Sequence, residues 1–483
     1  MQPIDSKDVT KQTDVIRCFL AYYMNYNLNM NNLKFEFMNF LKRITLFLII
    51  SMTLVSCHEN KSKATITILG ENASSLQAME ALKGEYEKQD SLINLSFKPN
   101  SFDDAFNKAN QDFANGTRLY DIVLLYNFSL SSFVRNNYVY KLDELYKVAN
   151  IPDSLRAFEK DIFPEAWKEV SYYQDPKTHE IEKIGYPFAT NTNVLIYNKK
   201  LFNDEKQKEK YKKQYGKELE VPTTWEDFVI IAKFFTQPEN KLYGVCLQGA
   251  DSWVYGEFMN YLFSMGGKMM DKQYGWQGDE NTQILLNTPE ALKALEFYIS
   301  LKPYNSGNFS NVDMFEHTRI MKEGKTALGM NWSDGIYPAF MTENGFSDEF
   351  GFAPIPGKVS ILTGGTYFVN KKTKNPKEVL MYIVDLMQYP NQVELAKKGL
   401  CSPLKTVYEN EEVKKLPYTK AVKESLDRGI YMMEAGPETN IITEVVSNYV
   451  QRAWSGEITP KQALAQMQKE IEERRKELYS KID

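Results

Sequence analysis

Residues Ile184–Lys199 run Ile-Gly-Tyr-Pro-Phe-Ala-Thr-Asn-Thr-Asn-Val-Leu-Ile-Tyr-Asn-Lys, and the reading of this stretch decides the fold. Pro187 biases the residue before it toward extended backbone, and Val194–Tyr197 is the β-branched and aromatic run of a buried strand. The stretch therefore predicts one extended pass with a polar middle. That middle, Thr190-Asn-Thr-Asn193, puts hydroxyls and amides where a strand crossing a core is ordinarily apolar, and such groups are costly to bury without partners. Two readings fit: a segment that crosses between two lobes and lines a cleft, or a polar turn before an ordinary strand.

On the N-terminal side the pattern alternates strand and helix. Thr65–Leu69 predicts a strand; Leu76, Met79, Leu82 and Tyr86 are spaced for one helix over 76–86; Leu95–Phe97 predicts a second strand. Asp103–Ala114 predicts a helix stopped by Gly116, and Asp121–Leu125 a third strand. This βαβαβ order implies a parallel sheet covered by helices, in which ligands bind beyond the carboxyl ends of the strands. Gly70, Glu71, Asn72, Tyr126 and Asn127 occupy those ends and are candidates for a cleft.

On the C-terminal side the same grammar continues. Thr223 followed by Glu226 forms a capping-box pattern for a helix through Phe228, Ile231 and Phe235; Thr288-Pro289, Asn375-Pro376 and Thr459-Pro460 each place a cap before proline at the first helical position. Tyr243–Leu247, Lys325–Met330 and Phe350–Ile355 predict strands. Ile361–Val369 is an apolar run broken by Gly364 and Gly365, as expected where the backbone bends or something approaches closely, and it makes a second candidate crossing.

A chain of 483 residues exceeds what one hydrophobic core usually serves, so two lobes are expected. With 43% hydrophobic and 25% charged residues and a net charge of -5, it carries no electrostatic footprint for nucleic acid, which is excluded as a partner. The basic run Lys206–Lys217 is interrupted by Glu209 and predicts a solvated helix face.

Lys42-Arg43 precedes the apolar run Ile44–Val55, which is shorter than the roughly 17 to 25 residues of a membrane span and suits a signal-peptide core of about 7 to 15. Leu54-Val-Ser-Cys57 resembles the bacterial lipoprotein processing signal, which implies that Cys57 is acylated and begins the mature chain. Acyl chains contribute roughly 0.8 kcal/mol per buried methylene, enough for two or three to hold a protein on a membrane. A signal peptide begins near its charged segment, so translation is expected to start at Met38 or Met30, with 1–37 an upstream extension outside the product and 38–56 the signal peptide. Cys246 and Cys401 are then the cysteines of the mature domain, too few for a disulfide scaffold, and are expected to be free thiols.

Catalytic signatures are sparse. The histidines are His58, His179 and His317, and there is no His-Glu-x-x-His, Cys-x-x-Cys or Gly-x-Ser-x-Gly pattern. Gly324-Lys-Thr superficially suggests a phosphate loop, but Arg319 stands where the first glycine belongs, so a surface turn is expected. Neither metal nor cofactor is called for. What the chain offers instead is aromatic residues in predicted loops: Tyr126, Phe128, Trp253, Tyr255, Trp276, Trp332, Tyr337, Tyr367 and Tyr431. Aromatic faces suit the C–H faces of sugar rings while neighbouring Asp, Asn and Thr satisfy hydroxyls, although each of these rings taken singly is more often a core residue. Trp332 has the strongest case, because it directly follows a strand and lies beside Asn331, Ser333 and Asp334.

A series of local motifs then falls into order along about 420 residues: Asp121-Ile-Val-Leu-Leu-Tyr, Tyr186-Pro-Phe-Ala with Leu195-Ile-Tyr-Asn-Lys, Pro222-Thr-Thr-Trp-Glu-Asp-Phe, Met265-Gly-Gly, Glu323-Gly-Lys-Thr-Ala-Leu-Gly-Met-Asn-Trp and Pro354-Ile-Pro-Gly. In this order the chain resembles the extracellular solute-binding proteins of bacterial ABC sugar importers, the maltose-binding-like family. The resemblance implies an α/β, two-lobe periplasmic-binding-protein fold of type II, with a ligand cleft between lobes joined by hinge strands. It implies an N-lobe of about 64–188 plus 366–414 and a C-lobe of about 189–365 plus 415–483. It implies ligand contacts at Glu71, Asn127, Asn191, Trp332, Asp334, Gly364 and Gly365, to which the strand ends and aromatic loops add Asn72, Tyr126, Trp253 and Tyr431. The expected function is capture of a carbohydrate by lobe closure and delivery to permease subunits, by a monomer facing the periplasm or cell exterior and needing no catalysis. The alternatives are a lipid-anchored carbohydrate-active enzyme and a polyamine or metal-anion binder on the same fold. Where many oligosaccharide-binding relatives carry an Arg-Pro or aromatic-rich segment, this chain has Met432-Met-Glu-Ala-Gly-Pro-Glu-Thr, which leaves sugar size and identity open.

Overall fold

The computed structural model describes residues 63–482 apart from 91, 176, 177, 179, 272–281, 429 and 433–435, and at 103, 430–432 and 482 it describes the backbone alone. Cys57, His58, His179 and Trp276 lie outside the described residues, as does the side chain of Tyr431.

A nine-stranded sheet organises this part of the chain. Its strands are β1 (Ala64–Glu71), β2 (Ile93–Asn100), β3 (Ile122–Tyr126), β4 (Pro187–Asn198), β5 (Tyr243–Cys246), β6 (Thr326–Trp332), β7 (Phe350–Pro354), β8 (Ser360–Val369) and β9 (Ile430–Met432). The spatial order is β2-β1-β3-β8-β4-β6-β5, with β7 against β4 and β9 against β8. Strand β4 is thus one continuous pass from Pro187 to Asn198, and it changes partners along its length. Residues 187–192 pair with β8, whereas 193–198 pair with β6 and β7. β8 makes the reciprocal passage: 365–369 pair with β3, and 360–362 with β9.

The helices are α1 (Ser74–Ala81), α2 (Phe102–Asn115), α3 (Trp225–Phe235), α4 (Trp253–Ser264), α5 (Pro289–Ser300), α6 (Met314–Lys322), α7 (Ser333–Phe340), α8 (Pro376–Leu386), α9 (Thr419–Asp427), α10 (Thr439–Ser455) and α11 (Pro460–Ile482). Around the first half of the sheet, Ile122 and Leu124 of β3 face one core and Val123 and Leu125 another. This period-two alternation with apolar residues on both faces is what a parallel sheet covered by helices on each side requires. A third core gathers α3, α4, α5, α10 and α11 around Leu195, Leu328 and Met330.

Several local expectations shift by a residue or break. Leu76–Tyr86 is two helices, because Leu82 closes an i→i−3 bond to the Met79 carbonyl and a second short helix starts at Lys83, with poorly helix-forming Gly84 in its first turn. The α3 cap is Thr224, which accepts the Asp227 N–H at 3.1 Å, one residue beyond the Thr223–Glu226 pattern. Thr288 and Thr459 cap as expected, but the Asn375 side chain makes no cap bond. Gly116 ends α2 at φ 63°, Gly324 forms a turn at φ 72° before β6, and the basic run lies on a helix over Glu205–Tyr215 that buries Tyr211 alone. Two aromatic residues expected in loops are instead core: Tyr255 within α4 and Tyr367 within β8, both fully buried.

Cys246 and Cys401 are both free and buried. Burial pushes the Cys401 thiol up to about 12, so it is a neutral donor, placed 3.2 Å from the Ser333 hydroxyl.

Candidate functional site

The polar middle of β4 divides its work by the alternation of the strand. The Thr190 hydroxyl donates to the Ser402 carbonyl at 3.0 Å and the Thr192 hydroxyl to the Ile361 carbonyl at 2.8 Å, so both threonines are spent inside the protein. Asn191 lies between them and faces the other way. Its Nδ2 donates to Oδ2 of Asp334 at 2.7 Å, while its Oδ1 is buried with no hydrogen-bond partner among the described residues. Polarity in this stretch therefore has two causes, and Asn191 is the part that internal bonding leaves half satisfied.

Asp334 reaches the same place from β6 and the first turn of α7. Here too the roles divide: Asn331 is consumed by the Met314 carbonyl, Thr318, Gln248 and the Trp332 N–H, and Ser333, the first residue of α7, accepts the Thr192 N–H at 3.1 Å. Asp334 and Trp332 are left for the other side. Asp334 is 7% exposed, and Oδ1 of its carboxyl has no hydrogen-bond partner among the described residues. Burial raises it to about 7, the charge of Glu71 adds to the rise, and the N–H groups of Asp334 and Gly335 with the Tyr126 hydroxyl oppose it.

Tyr126, at the end of β3, links this carboxyl to the first half of the sheet. Its hydroxyl lies 2.7 Å from Glu71 Oε2 and 3.4 Å from Asp334 Oδ2. One phenol carries one proton, so the pair of carboxyls is left short of donors on the Asp334 side. Burial and both carboxylates hold the phenol well above its ordinary value, so it is a donor at any physiological pH. Glu71, Tyr126, Asn191 and Asp334, four of the expected residues, thus meet although they are up to 263 positions apart in the chain (334 minus 71).

The other expected residues are placed differently. Trp332 is 9% exposed, opposite Asn193 in register, and packs beside Gly256, where a Cβ would lie 3.4 Å from its ring. Trp253 is half-buried at the start of α4, and Asn127 is buried in the turn after β3. Asn72 is exposed and accepts from Gln77 Nε2 at 3.1 Å, a local contact that keeps it out of the cluster. At the glycines of β8 the protein itself comes close. A Cβ on Gly364 would meet Val170, in the helical turn Trp167–Ser171, at 2.6 Å, and one on Gly365 would fall 2.0 Å from the Phe188 ring of β4, so it is other parts of the protein that approach. The register shifts at Gly365/Thr366, where that ring is accommodated. For Tyr431 the backbone pairs with Ile361.

Sequence reasoning passed over Phe102. It is the first residue of α2, two positions beyond Asn100, which pairs with Glu71 in register, and its ring centroid lies 5.7 Å from that of Tyr126. The signal was available, since Ser101 is an N-cap residue and the helix pattern starts beside it, but the ring had no visible partner in a one-dimensional reading. Glu257 was also missed. It is a buried carboxyl in the apolar helix α4, raised to about 8 by burial and bonded by Tyr261 at 3.0 Å.

Two α/β halves joined by exchanged strands, with buried polar groups where the halves meet, define a two-lobe periplasmic-binding-protein fold. The chain belongs to the bacterial extracellular solute-binding protein family, whose model matches residues 71–389. It is similar to a solute-binding protein of an ABC transporter from Agrobacterium radiobacter K84 in complex with ribitol, at TM-score 0.70 and 23% identity over 85% of this chain and 99% of that one. It is similar to a maltose-bound protein of T. maritima, at TM-score 0.67 and 19% identity over 86% and 99% of the two chains. A mannitol-binding protein of Pseudomonas aeruginosa is 28% identical over 179 residues, 36% of this chain. That match spans 37% of the relative's own length.

Proposed function

We propose that this protein is the substrate-binding lipoprotein of an ABC importer, capturing a carbohydrate or polyol between its lobes and delivering it to a membrane permease. The observation that carries the reading is the pair of buried oxygens, Asp334 Oδ1 and Asn191 Oδ1, unpartnered among the described residues, in a cluster assembled from both halves of the sheet. An orphaned buried acceptor costs about 1–3 kcal/mol, more when it is charged, and a solute rich in hydroxyl donors removes that cost on binding. The ribitol, maltose and mannitol of the similar proteins are all of this class. Because the oxygens lie between elements of both lobes, the ligand's hydrogen bonds favour the closed arrangement over the open one. Ligand binding needs no catalytic step, and the protein acts as a monomer that presents its closed form to the permease. The lobes follow the boundaries 188/189, 365/366 and 414/415.

Trp332 is proposed as the platform for a sugar ring, with Asp334 accepting a hydroxyl hydrogen bond. Truncating a buried aromatic platform costs about 2 kcal/mol, and 1.4 kcal/mol is tenfold in affinity. Trp332→Ala is therefore expected to weaken binding at least about tenfold with the fold retained. A thermal-shift screen against mono- and oligosaccharides and alditols identifies the solute, and calorimetry with that solute measures the variant. Equal affinity in wild type and Trp332→Ala would make Trp332 simply a core residue.

Cys57 is proposed as the lipid attachment site, which places the protein in the cell envelope facing the periplasm or exterior. Cys57→Ala is expected to release the protein from membranes or leave its precursor unprocessed, as read by fractionation and intact mass. Normal processing with full membrane retention would contradict lipidation.

A further inference from the structure

Large apolar side chains are expensive to leave in water, and one of them stands beside Tyr126 of the polar cluster. Phe102 is 37% exposed, although its neighbour Tyr126 is 8% exposed. Its position is set by the helix start, because the Ser101 hydroxyl accepts the Asp104 N–H at 3.3 Å and fixes the first turn of α2. From there an aromatic series runs inward: Phe102 to Phe128 at 5.0 Å between centroids, Phe128 to Phe106 at 5.4 Å, and Phe106 to the buried Phe133 at 6.2 Å. Phe102 is the outer end of this series, backed by Tyr126 and Phe128, with part of its surface open. Complete burial of a phenylalanine side chain is worth roughly 1.5–3 kcal/mol relative to exposure, so covering what remains open is favourable.

We infer that Phe102 is a specificity-determining residue of the solute site, supplying an apolar face from the N-terminal half that selects a cyclic sugar over its open-chain alditol. This rests on the carbohydrate reading above and adds the ligand's shape to it. The Tyr126 ring that Phe102 backs onto carries the hydroxyl that reaches Glu71 and Asp334, so the site has an apolar ring at one end and unpartnered acceptor oxygens at the other. A pyranose matches this division, since its ring presents a rigid C–H face and its equatorial hydroxyls point outward. An alditol offers the same donors without a rigid face, and it loses more rotational freedom when held. The competing account is that Phe102 merely shields Tyr126.

Phe102→Leu separates the two, because leucine keeps the apolar cover and removes the flat face, while Phe102→Tyr keeps the face. Calorimetry on the full mature chain uses D-glucose and maltose against D-glucitol, D-mannitol and ribitol. The wild type is expected to bind a cyclic probe more tightly than the alditols. Phe102→Leu is expected to weaken that probe by about tenfold and the alditols by less than about twofold, with Phe102→Tyr close to wild type and all melting temperatures alike. Equal losses for cyclic and open-chain probes, no loss for either, a wild-type preference for an alditol, or a lowered melting temperature of Phe102→Leu would each overturn the inference while leaving the carbohydrate reading intact. A wild type that binds none of these probes nor any other saccharide overturns the carbohydrate reading itself, and the role of Phe102 with it.

Discussion

Asp334→Asn is expected to cost most of the solute affinity, at least about 100-fold, while raising the melting temperature of the unliganded protein at pH 8. Both effects have one cause. The carboxyl is buried without a counter-cation among its described contacts, and its orphaned oxygen is the acceptor proposed above for the ligand. Its folded value of about 7 lies above its ordinary 3.8. A carboxyl raised in this way binds its proton more tightly in the folded than in the unfolded chain. Its contribution to stability is therefore full below 3.8 and declines as pH rises toward about 7, and above that the buried charge is a net burden. Asparagine removes the burden and with it this part of the pH dependence. The wild type is expected to gain stability on going from pH 8 to pH 5.5 by more than Asp334→Asn does. Glu257, raised to about 8, adds a slope of the same sign that both proteins share. Calorimetry and thermal melts at the two pH values check this; unchanged affinity together with a lower melting temperature at pH 8 would contradict it. Such an exchange of stability for function is common at binding sites.

The second large effect lies away from the site. Arg475 on α11 and Glu438 just before α10 form an ion pair at 3.2 Å with side chains 6% and 1% exposed. Arg475 also donates to the Thr282 carbonyl at 2.7 Å, and Tyr479 donates to the second oxygen of Glu438 at 2.8 Å. Burial still raises the Glu438 carboxyl against the pull of Arg475, so desolvation outweighs attraction even in the intact pair. Arg475→Ala strands that carboxyl and is expected to destabilise the protein by about 3–5 kcal/mol. Replacing both partners, Arg475→Met with Glu438→Leu, is expected to recover most of the loss, because no charge remains to be compensated. Urea denaturation of the two variants provides the comparison. A single variant within about 1 kcal/mol of wild type, or a double variant no better than the single, would contradict the argument.

What the sequence discloses here follows the range of the interactions involved. Helix starts at Thr288 and Thr459 are legible because the cap and the N–H it accepts lie three residues apart, and the β4 pass is legible because proline and a β-branched run act on their own backbone. The polar cluster is legible in part. Alternation along β4 assigns Asn191 to one side and Thr190 and Thr192 to the other, but Asp334, at the start of α7, joins Asn191 only through a contact across 143 positions. For the same reason Gly364 and Gly365 could be recognised as places of close approach without revealing that Val170 and Phe188 do the approaching. Phe102, Glu257 and the Arg475–Glu438 pair owe their character to burial and to distant partners, which no local pattern encodes.

The most direct measurement is a crystal structure of the protein with the solute that raises its melting temperature in the thermal-shift screen. The account predicts a saccharide or polyol between the lobes with hydroxyls about 2.7–3.0 Å from Asp334 Oδ1 and Asn191 Oδ1 and a face against Trp332. A solute bound elsewhere, or one lacking hydroxyl donors and seated in this cleft through other residues, would contradict it.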